Sequence, residues 1–172
     1  MRRTDLVIAA LACLVSTVAF VAAAETDRTE PSVERGRYLA IIGGCNDCHT
    51  PGYPEAGGNI PEAQWLTGVP VGFRGPWGTT YPANLRLHMS GMSEDEWVEA
   101  AKHLQTRPPM PWFAVQAMSD TDLRSLHRLV VSLGPAGEKM PDAVPPGQEP
   151  STPFIPLVTH SAGESGTQAS NP

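Results

Sequence analysis

The chain has 172 residues, 12 of them basic and 18 acidic, which gives a formal net charge of −6. This length and a hydrophobic share of 41% fit one compact domain with appendages, while 18 prolines and 16 glycines predict many loops. The acidic balance, with no run of Lys or Arg after the start, excludes nucleic acid as an expected partner.

The first 24 residues have the features of a secretory signal peptide. Arg2 and Arg3 make the start positive, an apolar run extends from Leu6 to Val21, and Ala22 to Ala24 supply small residues for cleavage. Cleavage at this point predicts a protein exported to the periplasm. The alternative is an uncleaved membrane anchor, because about 20 apolar residues are enough to cross a bilayer.

Cleavage would leave two cysteines in the mature chain. Cys13 lies inside the apolar run and is expected to leave with the signal, whereas Cys45 and Cys48 remain. Residues 25–31 are polar and are predicted to form a flexible leader in front of a domain at residues 32–135. In an exported chain, two thiols are expected to pair with each other or to bind another group.

A first helix is predicted to begin after Ser32, whose hydroxyl suits an N-cap. Apolar positions in this helix are Val33, Tyr38, Ile41 and Ile42. Gly36 would let another backbone approach, and Gly43-Gly44 would end the helix just before the next motif.

The segment Cys45-Asn46-Asp47-Cys48-His49 predicts covalent haem attachment. Two thiols three residues apart can add to the two vinyl groups of a haem. The adjacent His49 can then present a ring nitrogen to the iron as the proximal ligand.

Two other functions of paired cysteines are weaker alternatives. A thioredoxin-type site follows a strand in a βαβ unit, and no alternating or β-branched run precedes Cys45. A structural zinc site needs further cysteine or histidine ligands, and no third cysteine remains in the mature chain.

Residues 50–81 are predicted to form a long ordered loop without sustained helical or strand periodicity. A loop of this length is unusual inside a compact domain unless it packs on something other than protein. The face of a haem is such a surface. The order is expected to come from large apolar residues: Trp65, Leu66, Val69, Val71, Phe73 and Trp77.

Two further helices are predicted from their capping signals. Ser93 and Glu96 form a capping box, and the apolar residues that are expected to face the core start at Trp97. Ser119 opens the last helix, and Gly134-Pro135 ends it.

Met110 is the leading candidate for the second axial ligand. Prolines on both sides hold it in a segment, residues 107–113, that is predicted to be non-helical. Met118 is explained by a hydrophobic staple in front of Ser119, and Met89 and Met92 remain possible substitutes. A methionine ligand would raise the reduction potential and close the iron to small molecules.

Residues 136–172 are rich in Pro, Ser, Gly, Glu and Gln and are predicted to form a mostly disordered tail. A short apolar island, Phe154 to Val158, interrupts this composition. Such a cluster alone does not identify a docking partner.

The chain from Val33 to Leu133 resembles a class I c-type cytochrome domain. The segments Gly75-Pro76-Trp77-Gly78-Thr79-Thr80-Tyr81-Pro82-Ala83-Asn84-Leu85 and Met110-Pro111-Trp112 are similar to modules in the cytochrome c subunits of membrane-bound alcohol and gluconate dehydrogenases. Those subunits carry three attachment motifs and this chain carries one. Arg86 and Leu87 also stand where the modules have threonine and proline.

The resemblance implies an all-α cytochrome c fold, with a few short helices and long loops wrapped around one covalently bound haem. It implies Cys45 and Cys48 as thioether positions, His49 as proximal ligand and Met110 as distal ligand. By position and resemblance, further contacts to the haem or its propionates are expected from Trp77, Tyr81, Asn84 and Trp112.

The predicted function is that of an exported single-haem electron carrier rather than an enzyme. Its expected partners are redox proteins, namely a dehydrogenase, another cytochrome or a terminal oxidase; a membrane is a partner only if the N-terminal segment stays uncleaved. The alternative is a haem-based ligand sensor or enzyme subunit with an open sixth coordination position.

Overall fold

The computed structural model describes residues 30–159. The predicted signal peptide, nearly all of the predicted leader and the end of the predicted tail lie outside these described residues. The described elements, in chain order, are α1 (Val33–Ile42), α2 (Cys45–His49), a 3₁₀ turn (Glu62–Gln64), β1 (Gly72–Gly75), β2 (Gly78–Thr80), α3 (Leu85–Met89), α4 (Glu94–Lys102), α5 (Trp112–Gln116), α6 (Asp120–Leu133) and β3 (Phe154–Pro156).

Helix α1 packs against α6 through a face that contains a glycine. A Cβ added at Gly36 would lie 2.1 Å from the Ser125 carbonyl oxygen, so only glycine permits this approach. Leu39 and Ala40 are buried beside it. The expectation that Gly36 admits another backbone is confirmed, whereas most of the predicted apolar positions point to solvent: Tyr38, Ile41 and Ile42 are exposed.

Helix α4 packs on α6 through Trp97. Its indole ring is buried, and Nε1 donates a hydrogen bond to the Leu123 carbonyl at 2.9 Å. The ring therefore contributes apolar contact to the core, and its only N–H is not left without a hydrogen-bond acceptor. Ion pairs from Arg124 to Asp95 and from Arg128 to Glu94 join the same two helices at the surface.

The three predicted N-caps are confirmed. The hydroxyl of Ser32 accepts from the Arg35 N–H, and that of Ser119 accepts from the Asp122 N–H. Ser93 forms the complete capping box with Glu96. Side-chain acceptors thus satisfy donors that the first helical turns leave unpaired.

Three short helices of five residues, α2, α3 and α5, were not predicted. Five residues are too few to show apolar periodicity, and their helical geometry depends on tertiary contacts. The segment around Met110, predicted to be non-helical through Phe113, is so only up to Pro111, because α5 begins at Trp112.

A small three-stranded sheet corrects the expected all-α class. β1 and β2 pair antiparallel around the two-residue turn Pro76-Trp77, and β1 pairs in parallel with β3. The strand order is β2-β1-β3. Strands of three or four residues are too short to show an alternating pattern, and glycines in β1 and β2 weaken the signal further, so the strands could not be predicted.

The first part of the predicted disordered tail follows a defined path along the domain. Val144 pairs with Thr79 in an antiparallel bridge, and Phe154 to Pro156 form strand β3. The Tyr81 hydroxyl is 2.7 Å from the Thr152 hydroxyl, and Arg74 forms an ion pair with Glu149. Composition misses this order because the bonds are made to residues more than 60 positions earlier.

Candidate haem-attachment site

Helix α2 contains both cysteines and the adjacent histidine. Gly44, in the left-handed region at φ 66°, turns the chain from α1 into α2. Cys45 and Cys48 are both half-buried, and they form no disulfide. Burial raises the pKa of Cys45 to about 11 and also raises that of Cys48. Protonated thiols of this kind lack the low pKa that activates a thioredoxin-type site.

His49 is buried and its ring is oriented by the backbone. The carbonyl oxygen of Ala83 lies 2.7 Å from Nδ1; since a carbonyl only accepts, Nδ1 carries the proton. This bond leaves Nε2 as the lone-pair nitrogen, the tautomer that a metal-binding histidine needs. Burial lowers the pKa of His49, which also favours the neutral imidazole.

The turn formed by residues 66–68 holds the backbone on the C-terminal side of His49. The Gly68 N–H donates to the His49 carbonyl, and the Leu66 N–H donates to the Thr50 hydroxyl, each at 2.8 Å. Leu66 itself has φ 61°, which costs about 1–2 kcal/mol for a residue with a Cβ. Its side chain is almost fully buried, and this packing offsets the cost.

Helix α3 is held close to the same turn. The Leu66 carbonyl accepts from the Leu85 N–H at 3.0 Å. The Arg86 side chain is buried and donates to the carbonyls of Gly134 at 2.5 Å, Ala63 at 2.7 Å and Leu133. Arg86 therefore connects α3 with the C-terminal end of α6 and with the 3₁₀ turn.

Buried polar atoms without partners test whether a haem fits here. In residues 30–159 the unpaired buried side-chain atoms are Asn46 Nδ2, Trp77 Nε1 and Thr79 Oγ1. An unsatisfied buried donor costs about 1–3 kcal/mol, so an acceptor is expected beside each of them. Asn46 lies within the attachment motif and the other two lie on the hairpin. The carboxylates of a bound haem supply acceptors of this chemistry, so these residues fit the group.

Met110 lies beside the hairpin, in the segment that leads into α5. The Thr80 hydroxyl donates to the Pro108 carbonyl at 2.7 Å, which holds the segment against β2. The Met110 carbonyl accepts from the Trp112 N–H, and the residue is half-buried. Its role as distal ligand stays a prediction.

Three other methionines have structural explanations. Met89 is 2% exposed within the core, and Met92 and Met118 pack against that core. Met140 belongs to the ordered tail and lies against Gly68, where an added Cβ would come 2.6 Å from its Cγ.

The remaining predicted pocket residues have different roles. Asn84 caps α3 with its oxygen, and its amide nitrogen donates to Ala136 at 2.8 Å and Glu138 at 3.1 Å. Both amide hydrogens are used in these bonds, and a contact of Asn84 with the haem stays a prediction. The Tyr81 hydroxyl binds the tail, and Trp112 forms an edge contact with Phe113.

Ala83, Thr50 and Leu66 are site residues that the sequence did not reveal. Ala83 and Leu66 act through backbone groups, which no side-chain pattern reports. One available signal was missed, because Asn84 in front of Leu85-Arg86-Leu87 is a typical N-cap and predicts the helix that follows Ala83.

Within residues 30–159, no three or more His, Cys, Asp or Glu side chains come together as a metal site. In the same residues, no helix is both long enough and apolar enough to cross a membrane.

Comparison with known proteins agrees with the attachment motif. The chain is similar to the gluconate 2-dehydrogenase cytochrome c subunit of Pantoea cypripedii, with 30% identity over an alignment of 129 residues that covers 68% of this chain and 26% of that protein. The chain carries a cytochrome c domain. This cytochrome c domain is also similar to the fructose dehydrogenase cytochrome subunit of Gluconobacter japonicus, with 30% identity over 112 residues, 59% of this chain and 21% of that protein.

The chain thus spans about a quarter or less of the length of these curated relatives. No family model matches the chain, and no solved structure gives a significant match. The similarity concerns a single cytochrome c domain and not the complete subunits.

Proposed function

We propose that the protein is an exported cytochrome c with one covalently bound haem, which carries single electrons between redox partners. The observation that carries this proposal is the orientation of His49. Its Nδ1 is bound to Ala83 at 2.7 Å, its Nε2 is available, and two unpaired cysteines lie on the same short helix.

In this proposal Cys45 and Cys48 hold the haem through thioether bonds, and His49 and Met110 bind the iron. The bound haem supplies an iron that changes its charge by one electron. Trp77 and Thr79 offer their unpaired polar groups to the propionates. Because the thioether sulfur of Met110 is a soft ligand, it favours the reduced state and excludes small molecules from the sixth position.

The chain's own contribution is to keep the ligand arrangement unchanged between oxidation states. Ala83 fixes the His49 ring, while Gly68 and Leu66 fix the backbone after it. Burial of the ring keeps water from competing for Nε2. A site that does not rearrange is suited to electron transfer.

A dehydrogenase is the proposed electron donor. The two relatives are cytochrome subunits of a gluconate and a fructose dehydrogenase, so the same kind of partner is proposed for this domain. Export is proposed from the charged and apolar pattern of residues 1–24.

The ligand assignment is tested by comparing Met110→Ala with Met118→Ala. The oxidised wild type is expected to show the weak far-red absorption band of sulfur bound to ferric iron. Met110→Ala is expected to abolish this band and to lower the reduction potential, whereas Met118→Ala retains both. If the band survives in Met110→Ala and disappears in Met118→Ala, the assignment of Met110 is wrong.

Carbon monoxide distinguishes the carrier from a sensor or enzyme with an open sixth position. With Met110 bound, ferrous protein is expected to bind carbon monoxide slowly, and Met110→Ala is expected to bind it rapidly. Rapid binding by the untreated wild type would support the sensor or enzyme instead.

A further inference from the structure

Arg86 is a buried cation whose hydrogen-bond partners carry no charge. The residue is 5% exposed, and its guanidinium donates to three backbone carbonyls, those of Gly134, Ala63 and Leu133. None of the ion pairs formed within residues 30–159 includes Arg86. The other structural arginines Arg35, Arg37, Arg74, Arg124 and Arg128 all pair with carboxylates.

The carbonyl partners stabilise the guanidinium without neutralising it. Leu133 ends α6 and Gly134 is its C-cap, so Arg86 sits at the negative end of that helix dipole. Burial lowers the pKa of Arg86, yet a guanidinium stays protonated at physiological pH. A full positive charge therefore remains inside the domain.

Arg86 contacts the segment that holds the backbone after the proposed proximal ligand. The guanidinium donates to the carbonyl of Ala63, three residues before Leu66, and the Arg86 backbone N–H reaches the Leu66 carbonyl at 3.4 Å. The Leu66 N–H donates to the hydroxyl of Thr50, which follows His49. Ala83, which orients the His49 ring, precedes Arg86 by three residues. The buried charge on α3 thus follows the group that orients the ligand by three residues.

We propose that Arg86 is a positioning residue whose buried charge also raises the reduction potential of the iron bound by His49. The proposal rests on the haem function proposed above. Oxidised iron carries one more positive charge than reduced iron, so a nearby cation disfavours oxidation. Salt screens a buried charge much less than an exposed one, so the effect is expected to persist at high ionic strength.

The test compares Arg86→Gln with Arg128→Gln in the purified holoprotein. Each change removes one positive charge, but Arg128 is exposed and already paired with Glu94. Spectroelectrochemical titration at low and high salt is expected to show a lower midpoint potential for Arg86→Gln at both salt concentrations. Arg128→Gln is expected to remain near the wild-type value, and most closely so at high salt.

Arg86→Lys separates the charge from the hydrogen bonds. Lysine keeps the charge but cannot donate to the three carbonyls in the geometry of a guanidinium, so the melting temperature is expected to fall. The reduction potential is expected to stay nearer to the wild-type value than that of Arg86→Gln. Equal potentials in Arg86→Gln and Arg128→Gln would overturn the proposal. If Arg86→Gln does not fold, the potential of Arg86→Lys tests the proposal alone. A potential below that of the wild type would then overturn the proposal, and a potential equal to that of the wild type would support it.

The haem spectrum distinguishes failure of this proposal from failure of the proposed function. A wild type without bound haem would disprove the function before any variant is compared. Normal spectra in every variant, with unchanged potentials, would disprove only the role of Arg86.

Discussion

Gly36 sets the distance between the first and last helices. A Cβ at this position would lie 2.1 Å from the Ser125 carbonyl oxygen and 2.9 Å from the Leu129 Cβ. Gly36→Ala therefore forces α1 away from α6 and is expected to destabilise the fold by about 1–3 kcal/mol. Urea unfolding of the purified protein measures this loss.

Gly91→Ala is the matched control for Gly36→Ala. A Cβ at Gly91 has nothing within 4 Å, so its unfolding free energy is expected to change by less than about 0.5 kcal/mol. Equal effects of the two substitutions would show that the close approach of α1 and α6 is not what requires glycine.

The pKa of His49 predicts how the ligand responds to acid. Burial lowers this pKa below the ordinary value of 6.5, so the neutral ring is favoured and its contribution to stability is complete above pH 6.5. That contribution is lost as the pH falls through the lowered value, because protonation removes the Nε2 lone pair. Iron bound at Nε2 also competes with the proton, so the absorbance of the ferric holoprotein is expected to stay constant through pH 6.5 and to change only in more acidic solution.

His88→Gln serves as the control in this acid titration, since His88 is an exposed histidine of α3. Its acid transition is expected to coincide with that of the wild type. A wild-type transition at or above pH 6.5 would contradict the buried, backbone-oriented ring.

At the scale of residues, the sequence predicts which side chains carry the chemistry of the site. It does not predict which backbone groups hold them in place. The type and spacing of Cys45, Cys48 and His49 predict haem attachment. Ala83 contributes only a carbonyl, and Arg86 interacts with carbonyls more than 20 residues distant along the chain. Such partners depend on the folded path, which one sequence does not specify locally.

Helix α3 is the element that couples the attachment site to the tail. Asn84 caps it through Oδ1 and holds the tail through Nδ2. Asn84→Ser keeps a good N-cap but removes both bonds to the tail. Trypsin cleavage after Lys139, which follows Glu138, is expected to accelerate in Asn84→Ser.

Ser93→Ala is the comparison for Asn84→Ser, because it weakens the cap of α4 and leaves the contacts of the tail intact. Its cleavage after Lys139 is expected to match the wild type. A rate that is unchanged in Asn84→Ser would show that the two amide bonds do not hold residues 136–138.

The longer helices could be predicted because their signals are local. Ser32, Ser93 and Ser119 each satisfy an N–H three residues later, and the distance is short enough to be read in the sequence. The sheet depends on pairs such as Phe73 with Ile155, which are far apart along the chain. Its strands are also too short to show an alternation of apolar and polar residues, so their structure depends on pairing in the folded protein.

At the scale of the whole molecule, the net charge of −6 predicts the sign of electrostatic steering. Oxidation of the reduced protein by cationic tris(1,10-phenanthroline)cobalt(III) is expected to slow as ionic strength rises. Oxidation by anionic ferricyanide is expected to accelerate, because salt screens repulsion. Stopped-flow measurements with both reagents check the prediction, and equal salt dependence would contradict it.

Covalent attachment of one haem to Cys45 and Cys48 is the central claim, and intact mass spectrometry of the purified chain tests it most directly. After denaturation and acid-acetone extraction, the chain is expected to retain the added mass of one haem, and Cys45→Ala with Cys48→Ala is expected to lose it. A wild-type chain with no added mass, or one that shows a Cys45–Cys48 disulfide, would contradict the account.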